Sequence, residues 1–459
     1  MPKPPPPLRS TSSITGARAL IWYYIELAIR SLKRNVALTL LVITAVGIGI
    51  GTCMTEFSVM YVLLGNPVPD KSSRLVVPQI DAWGPDSRSA PGGGAIELPD
   101  QLTYRDAMAL MQGHKALRQT AMYGIGPNVT PSQGRPFHAS GRAAYADFFT
   151  MFEAPFRFGG PWSPAEDAQH ANVAVLSARL ADRLFQHADA VGKTLTLDGR
   201  DYRIVGVLAP WQLIPRVYDM SQNAALDAED VYVPFTTAID RQLRHYGHDS
   251  CNSSPAPGWL GHLNSECVWV QFWAELPSAA AKSDYRRYLL GYVADQRAAG
   301  RFHWAPLAFV STLPEWIAQK KVVPDEVKLG TLIALGFLVV CLINAVGLML
   351  ARFSGRAGEL GVRRALGASR WHIFCQCLTE SAIIGLLGGA LGVGLTAIGQ
   401  ASERALDGGD GVVIRLLYSI NQETVLMTVG AAVLATVCSG LYPTWRASRV
   451  QPALQLKTD

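Results

Sequence analysis

Charge is scarce in this sequence. Asp, Glu, Lys and Arg make up 17% of its 459 residues, against 49% hydrophobic residues. An ordinary soluble domain is about one quarter charged and a disordered chain is far less apolar, so both classes are excluded. A phosphate cradle is missing as well. Gly192-Lys193-Thr194 copies the end of a P-loop, but the motif's first glycine falls on His187, and the local pattern runs from helix to strand rather than strand to helix. No Ser or Cys stands in a nucleophile motif, and the acidic residues of the long middle region are scattered, so no catalytic or metal site is expected. The net charge of +5 is not gathered into a basic domain with stacking aromatics, which excludes nucleic acid as a partner.

What the chain does have is long apolar runs. Residues 36–64, 329–351, 373–398 and 423–442 each reach bilayer length, which predicts a membrane α-helical fold with four transmembrane helices. The first run is too long for a secretory signal and no small-residue cleavage site follows it, so it is read as an anchor. Ahead of it, residues 1–16 are expected to form a disordered tail, with polyproline character over Pro4–Pro7. Residues 17–35 are expected to form an amphipathic helix in the lipid interface, with Trp22, Tyr23 and Tyr24 at headgroup level. Basic residues gather before the first run (Arg18, Arg30, Lys33, Arg34), between the second and third (Arg352, Arg356, Arg363, Arg364, Arg370) and after the fourth (Arg446, Arg449, Lys457). The positive-inside rule then places both termini and segment 352–372 in the cytoplasm, with loop 399–422 outside and tail 443–459 inside.

Between the first two spans lies the insertion 65–327, long enough for its own core and placed outside the membrane. Asn172–Ser177 reads as a strand and Ala178–Gln186 as a helix. Residues 194–208 read as two strands turning at Asp198-Gly199, Cys267–Leu276 as a strand, and Ser278–Ala299 as a helix. The expected fold of the insertion is therefore a large α+β extracytoplasmic domain.

The densest signal runs from Glu359 to Gly392. Two overlapping small-residue pairs, Gly385/Gly389 and Gly388/Gly392, match Gly47/Gly51 in the first span and predict close helix packing, within the chain or across a dimer. The preceding Glu359-Leu360-Gly361-Val362-Arg363-Arg364-Ala365-Leu366-Gly367-Ala368-Ser369-Arg370 resembles the signature of the FtsX-like permease domain found in MacB-type ABC transporter permeases. SVMYVLLGNPVPDKSSRLV, NVAVLSARLADRLF and VGKTLTLDGRDYRIVGVL resemble that family's periplasmic core domain, and the closing YPTWRASRVQPALQLK its C-terminal end. The resemblance implies that Glu359–Arg370 and the segment around Arg446, Arg449 and Gln451 dock on a separate ABC ATPase subunit, which would hold the ATP and magnesium. It implies a dimer with a second copy or a paralogue, contact with membrane lipid and a periplasmic adaptor, in the bacterial inner membrane. Export of a peptide, antibiotic or other amphiphile is the expected role. Lipoprotein extraction and regulation of a periplasmic cell-wall enzyme or sensor kinase are the alternatives.

Among seven cysteines, Cys53, Cys341, Cys375, Cys377 and Cys438 fall in or beside apolar runs and read as small hydrophobes. Cys251 and Cys267 alone lie in the extracytoplasmic domain, where oxidation is allowed, and are expected to form a disulfide. His245, His248 and His262 nearby permit a metal site instead, but without compact ligand spacing. Within the spans the polar exceptions are Glu56, Gln376 and Glu380. Glu56 is expected at the outer interface, and Gln376 and Glu380 are expected to snorkel to the near headgroups.

Overall fold

The computed structural model describes residues 13–85, 96–221, 227–406 and 422–448. Most of the expected disordered tail, the greater part of loop 399–422 and the chain from residue 449 onward lie outside them. The chain divides into two compact units, Leu63–Val322 and the residues flanking it on either side.

The flanking unit is helical: α1 (Ser13–Arg34), α2 (Val36–Leu63), α3 (Asp325–Ser354), α4 (Ala357–Ala365), α5 (Arg370–Leu406) and α6 (Gln422–Ser448). Helices α2, α3, α5 and α6 are long and apolar enough to cross a membrane, with mean hydropathy of 1.9 to 2.6 in their most apolar stretches. Helix α3 begins four residues before the apolar run, because Asp325 and Glu326 in its first turn suit the positive end of the helix dipole. In α1, Trp22 is exposed as expected of an interfacial aromatic, but Tyr24 is buried.

The glycines set how closely these helices approach. A Cβ on Gly47 would lie 2.7 Å from the Leu391 side chain, and one on Gly51 would lie 2.7 Å from Leu395 Cβ, so α2 sits tightly on α5. Gly388 of α5 faces Val46, and Gly392 faces the Gly47 carbonyl. A quarter-turn away, Gly385 and Gly389 face Val433, Ala432 and Val429 of α6. All six glycines therefore pack against helices of the same chain. Hydrogen bonds cross the same seam, from Thr396 Oγ1 to the Gly51 carbonyl (3.3 Å) and from Gln400 Nε2 to Ser58 Oγ (2.8 Å).

The other unit carries thirteen strands among the described residues: β1 (Leu75–Ile80), β2 (Leu102–Thr103), β3 (Arg118–Ile125), β4 (Asn128–Thr130), β5 (Phe137–His138), β6 (Gly141–Ala144), β7 (Phe156–Gly159), β8 (Val173–Leu176), β9 (Thr194–Leu197), β10 (Arg200–Leu208), β11 (Val231–Pro234), β12 (Val268–Glu275) and β13 (Ala308–Thr312). The main order is β13-β1-β12-β3-β6-β11-β8-β10-β9-β4-β5, with β2 on β12 and β7 on β10. Pairs β8–β10 and β6–β11 are parallel, and the rest of the path is antiparallel. Both faces of the central strands are covered. Along β3, Ala121, Tyr123 and Ile125 join one hydrophobic core and Met122 joins the other, as the period of two in a strand requires. The β9–β10 hairpin turns at Asp198 and Gly199 with φ of 46° and 76°, the positive pair that a tight hairpin of this twist needs.

Between the sheet and its second core lies a closed ionic cluster. Arg142 donates from Nε to Glu229 (2.7 Å) and from Nη2 to Asp219 (2.7 Å), and Arg216 donates to Glu229 at 3.2 Å. Burial alone would raise the carboxyl of Asp219, but Arg142 and Arg216 outweigh it and hold the group at about 2.

Candidate functional site

The functional candidates of the helical unit meet where α1, the end of α3, α4 and the start of α5 converge. A glycine with positive φ, Gly367, turns the chain after α4. Ser369 then caps α5, its hydroxyl accepting from the His372 amide at 3.2 Å. This geometry lays α4 against the first turns of α5.

An ionic network fixes the arrangement. Glu380, wholly buried on α5, accepts two hydrogen bonds from Arg356 Nη1 at 3.0 and 3.1 Å, and lies 3.6 Å from Arg352 Nη2. Both arginines also donate to the hydroxyl of Ser31 on α1. One step outward, Glu359 of α4 pairs with Arg363 (2.8 Å) and with Arg34 of α1 (3.0 Å). Arg363 in turn donates to Gln376 of α5 at 3.0 Å. Gln376 and Glu380 thus do not snorkel. They are buried and hold arginines that fold back over α5, because a carboxylate away from water needs a cation as partner.

The expected docking residues therefore divide. Leu360 and Gly361 are buried, and Glu359 and Arg363 are tied inward, whereas Ala365, Gly367, Ser369 and Arg370 are exposed and Arg364 is half-buried. The exposed side also carries three residues that the charge pattern did not single out: Val362 (51% exposed), Leu366 (83%) and Trp371 (68%). Val362 and Leu366 are four residues apart, and together with Trp371 they leave apolar side chains uncovered beside the basic residues of this segment. Arg446 lies exposed in the last turn of α6, whereas Arg449 and Gln451 fall outside the described residues.

The spans hold more polar residues than expected. Asn344 of α3 lines an open groove with Thr44 of α2 and Gly347, and Gln400 ties α5 to α2 as described above. Glu56 is half-buried, with a carboxylate oxygen beside Gly330 of α3.

In the α+β unit, Cys251 and Cys267 are joined by a disulfide. The Gly192-Lys193-Thr194 stretch is a turn leading into β9, with Lys193 over the Phe185 ring (4.8 Å). It offers no helix N-terminus to a phosphate, so the residues here do not fit a nucleotide.

Residues 39–283 match the MacB-like periplasmic core domain family, and residues 331–452 match the FtsX-like permease C-terminal family. The macrolide export ATP-binding/permease protein MacB of Azoarcus sp. (strain BH72) is 23% identical over 94% of this chain and 59% of its own length. The protein of the same description from Marinobacter nauticus is 24% identical over 94% of this chain and 60% of its own. The chain thus spans about three fifths of the length of these curated relatives. The crystal structure of the periplasmic region of MacB from Actinobacillus actinomycetemcomitans overlaps 57% of this chain and 98% of its own, at 14% identity and a TM-score of 0.35.

Proposed function

This chain belongs to the family of MacB-type permeases with an FtsX-like C-terminal domain, and from that premise we propose that it is the permease of an ATP-driven transporter that exports a peptide, antibiotic or other amphiphile. Its domains are permease domains rather than catalytic ones, in a multi-pass inner-membrane protein. In this reading ATP and magnesium sit on an ABC ATPase that docks on α4, and two permeases work as a pair. The basic residues of α1, of segment 352–372 and of the end of α6 support a cytoplasmic position for both termini and for α4.

The observation that carries the proposal is the placing of Glu380. A push on α4 moves Glu359 and Arg363, which are bonded to α1 and α5, while Arg352 and Arg356 at the end of α3 are held to α5 through Glu380. Three membrane-unit helices therefore feel one displacement. Arg352 Nε and Nη1 are buried without a hydrogen-bond partner among the described residues, so the network has donors in hand for a second arrangement.

A deletion strain tests the role. The proposal expects sensitivity to externally added amphiphilic compounds, restored by the wild-type chain. Mislocalised lipoproteins would point to extraction instead, and a division or wall defect without altered sensitivity to regulation.

A further inference from the structure

We propose that the Cys251–Cys267 disulfide closes a metal site, and that on reduction the two sulfurs join His262 and Asp249 to bind one zinc-class divalent ion. The donor atoms of Asp249, His262 and Cys267 all lie within 4.8 Å of one another. Asp249 Oδ2 is 3.8 Å from His262 Nε2, and Asp249 Oδ1 is 3.4 Å from Cys251 Sγ, itself bonded to Cys267 Sγ. Four donors on a tetrahedral zinc at about 2.0–2.3 Å stand roughly 3.3–3.8 Å apart. The carboxylate–imidazole and carboxylate–Cys251 distances already fall in or near that range, and the Cys267 sulfur stands within 4.8 Å of the Asp249 and His262 donors, so opening the sulfur–sulfur bond and a short inward shift bring four donors to one ion.

Two features hold the donors in place without the disulfide, and a third admits the ion. Ser250 and Val268 exchange backbone hydrogen bonds of 3.2 and 2.9 Å, which keeps Cys251 opposite Cys267. The His262 ring packs on Trp269, centroids 5.0 Å apart, which fixes its direction. Cys267 is buried at the base while Asp249 is exposed at the rim, giving an ion a way in. Two thiolates, an imidazole and a carboxylate are a donor set suited to zinc. With the disulfide intact only His262 and Asp249 remain free, too few for a structural site.

The chemistry needs a reductant of the dithiol class. It supplies two electrons and two protons, its own sulfurs becoming a disulfide as the Cys251–Cys267 bond breaks into two thiols. Metal binding then expels both thiol protons. The segment between residues 251 and 267 thereby exchanges a covalent staple for a metal one.

Cobalt(II) is the probe, added to the full chain in detergent before and after reduction with a water-soluble phosphine that is then removed. The proposal expects one Co2+ per reduced chain, with sulfur-to-metal charge-transfer and tetrahedral ligand-field bands, and neither in the oxidised chain. The bands vanish in the Cys251→Ser/Cys267→Ser variant. Asp249→Asn at the exposed rim and His262→Gln each weaken binding by about tenfold or more. Bands absent from the reduced wild type, persisting in the double-serine variant and so arising from other cysteines, or unchanged in both Asp249→Asn and His262→Gln would overturn it.

Discussion

Glu380 Oε1 lies 3.0 Å from Arg356 Nη1, joining the start of a membrane helix to the turn that follows another. The carboxylate is fully buried and shares its charge with Arg352 as well. Replacing it by Gln leaves the buried Arg352 guanidinium without a counter-charge and Arg356 with only Glu359 at 3.5 Å, at a cost of about 3–5 kcal/mol. Glu380→Gln is expected to lower the thermal stability of the detergent-solubilised chain. On the proposed function it is also expected to leave a docked ATPase bound while reducing the stimulation of its ATP hydrolysis, because the exposed side of α4 is untouched. A variant with unchanged stability would show that Glu380 does not hold these arginines as described.

The seam between α5 and α6 gives a second prediction. A Cβ on Gly385 would meet the Val433 Cα at 2.9 Å, whereas one on Gly394 meets nothing within 4 Å. Gly385→Leu should cost about 1–3 kcal/mol by overpacking, and Gly394→Ala should be neutral. Unfolding followed by tryptophan fluorescence separates the two.

The buried Arg142 cluster predicts a pH signature. Asp219 is held at about 2, below the unfolded carboxyl near 3.9, so its stabilisation is complete above about pH 5 and is lost as the pH falls through 4 toward 2. Arg142→Leu leaves Asp219 and Glu229 buried with too little positive charge, costing about 3–5 kcal/mol at neutral pH. Their folded pKa values then rise above the unfolded ones. The variant should gain stability as the pH falls from 7 to about 5, the range in which the wild-type cluster contributes almost no slope. Parallel slopes for the two proteins over that range would contradict this account.

Much of the architecture is legible in the sequence because its signals are local. Span length, the Asp198-Gly199 turn and the alternation along β12 each depend on a few neighbouring residues, and the structure has a helix, a hairpin and a strand there. The sheet order is not legible in this way, since β1 pairs with β13 more than two hundred residues later and no local pattern specifies that partner. Gln376 and Glu380 mislead for a related reason. Their distance from the end of the apolar run suggests headgroups within reach, but the arginines that bury them arrive from α4 and from the end of α3. Leu366 and Trp371 passed unnoticed because charge dominates their neighbourhood, and only the fold shows which side of α4 is covered.

The central claim is that α4 is where an ATPase docks, and co-purification of the tagged chain with Leu366→Glu as the comparison tests it most directly. The wild type should bring down a stoichiometric ABC ATPase. Leu366→Glu places a charge on a side chain that is 83% exposed, so the bundle is undisturbed, and should weaken the association by about 2 kcal/mol or more, roughly 30-fold. An ATPase recovered equally with both chains, or with neither, would contradict the account.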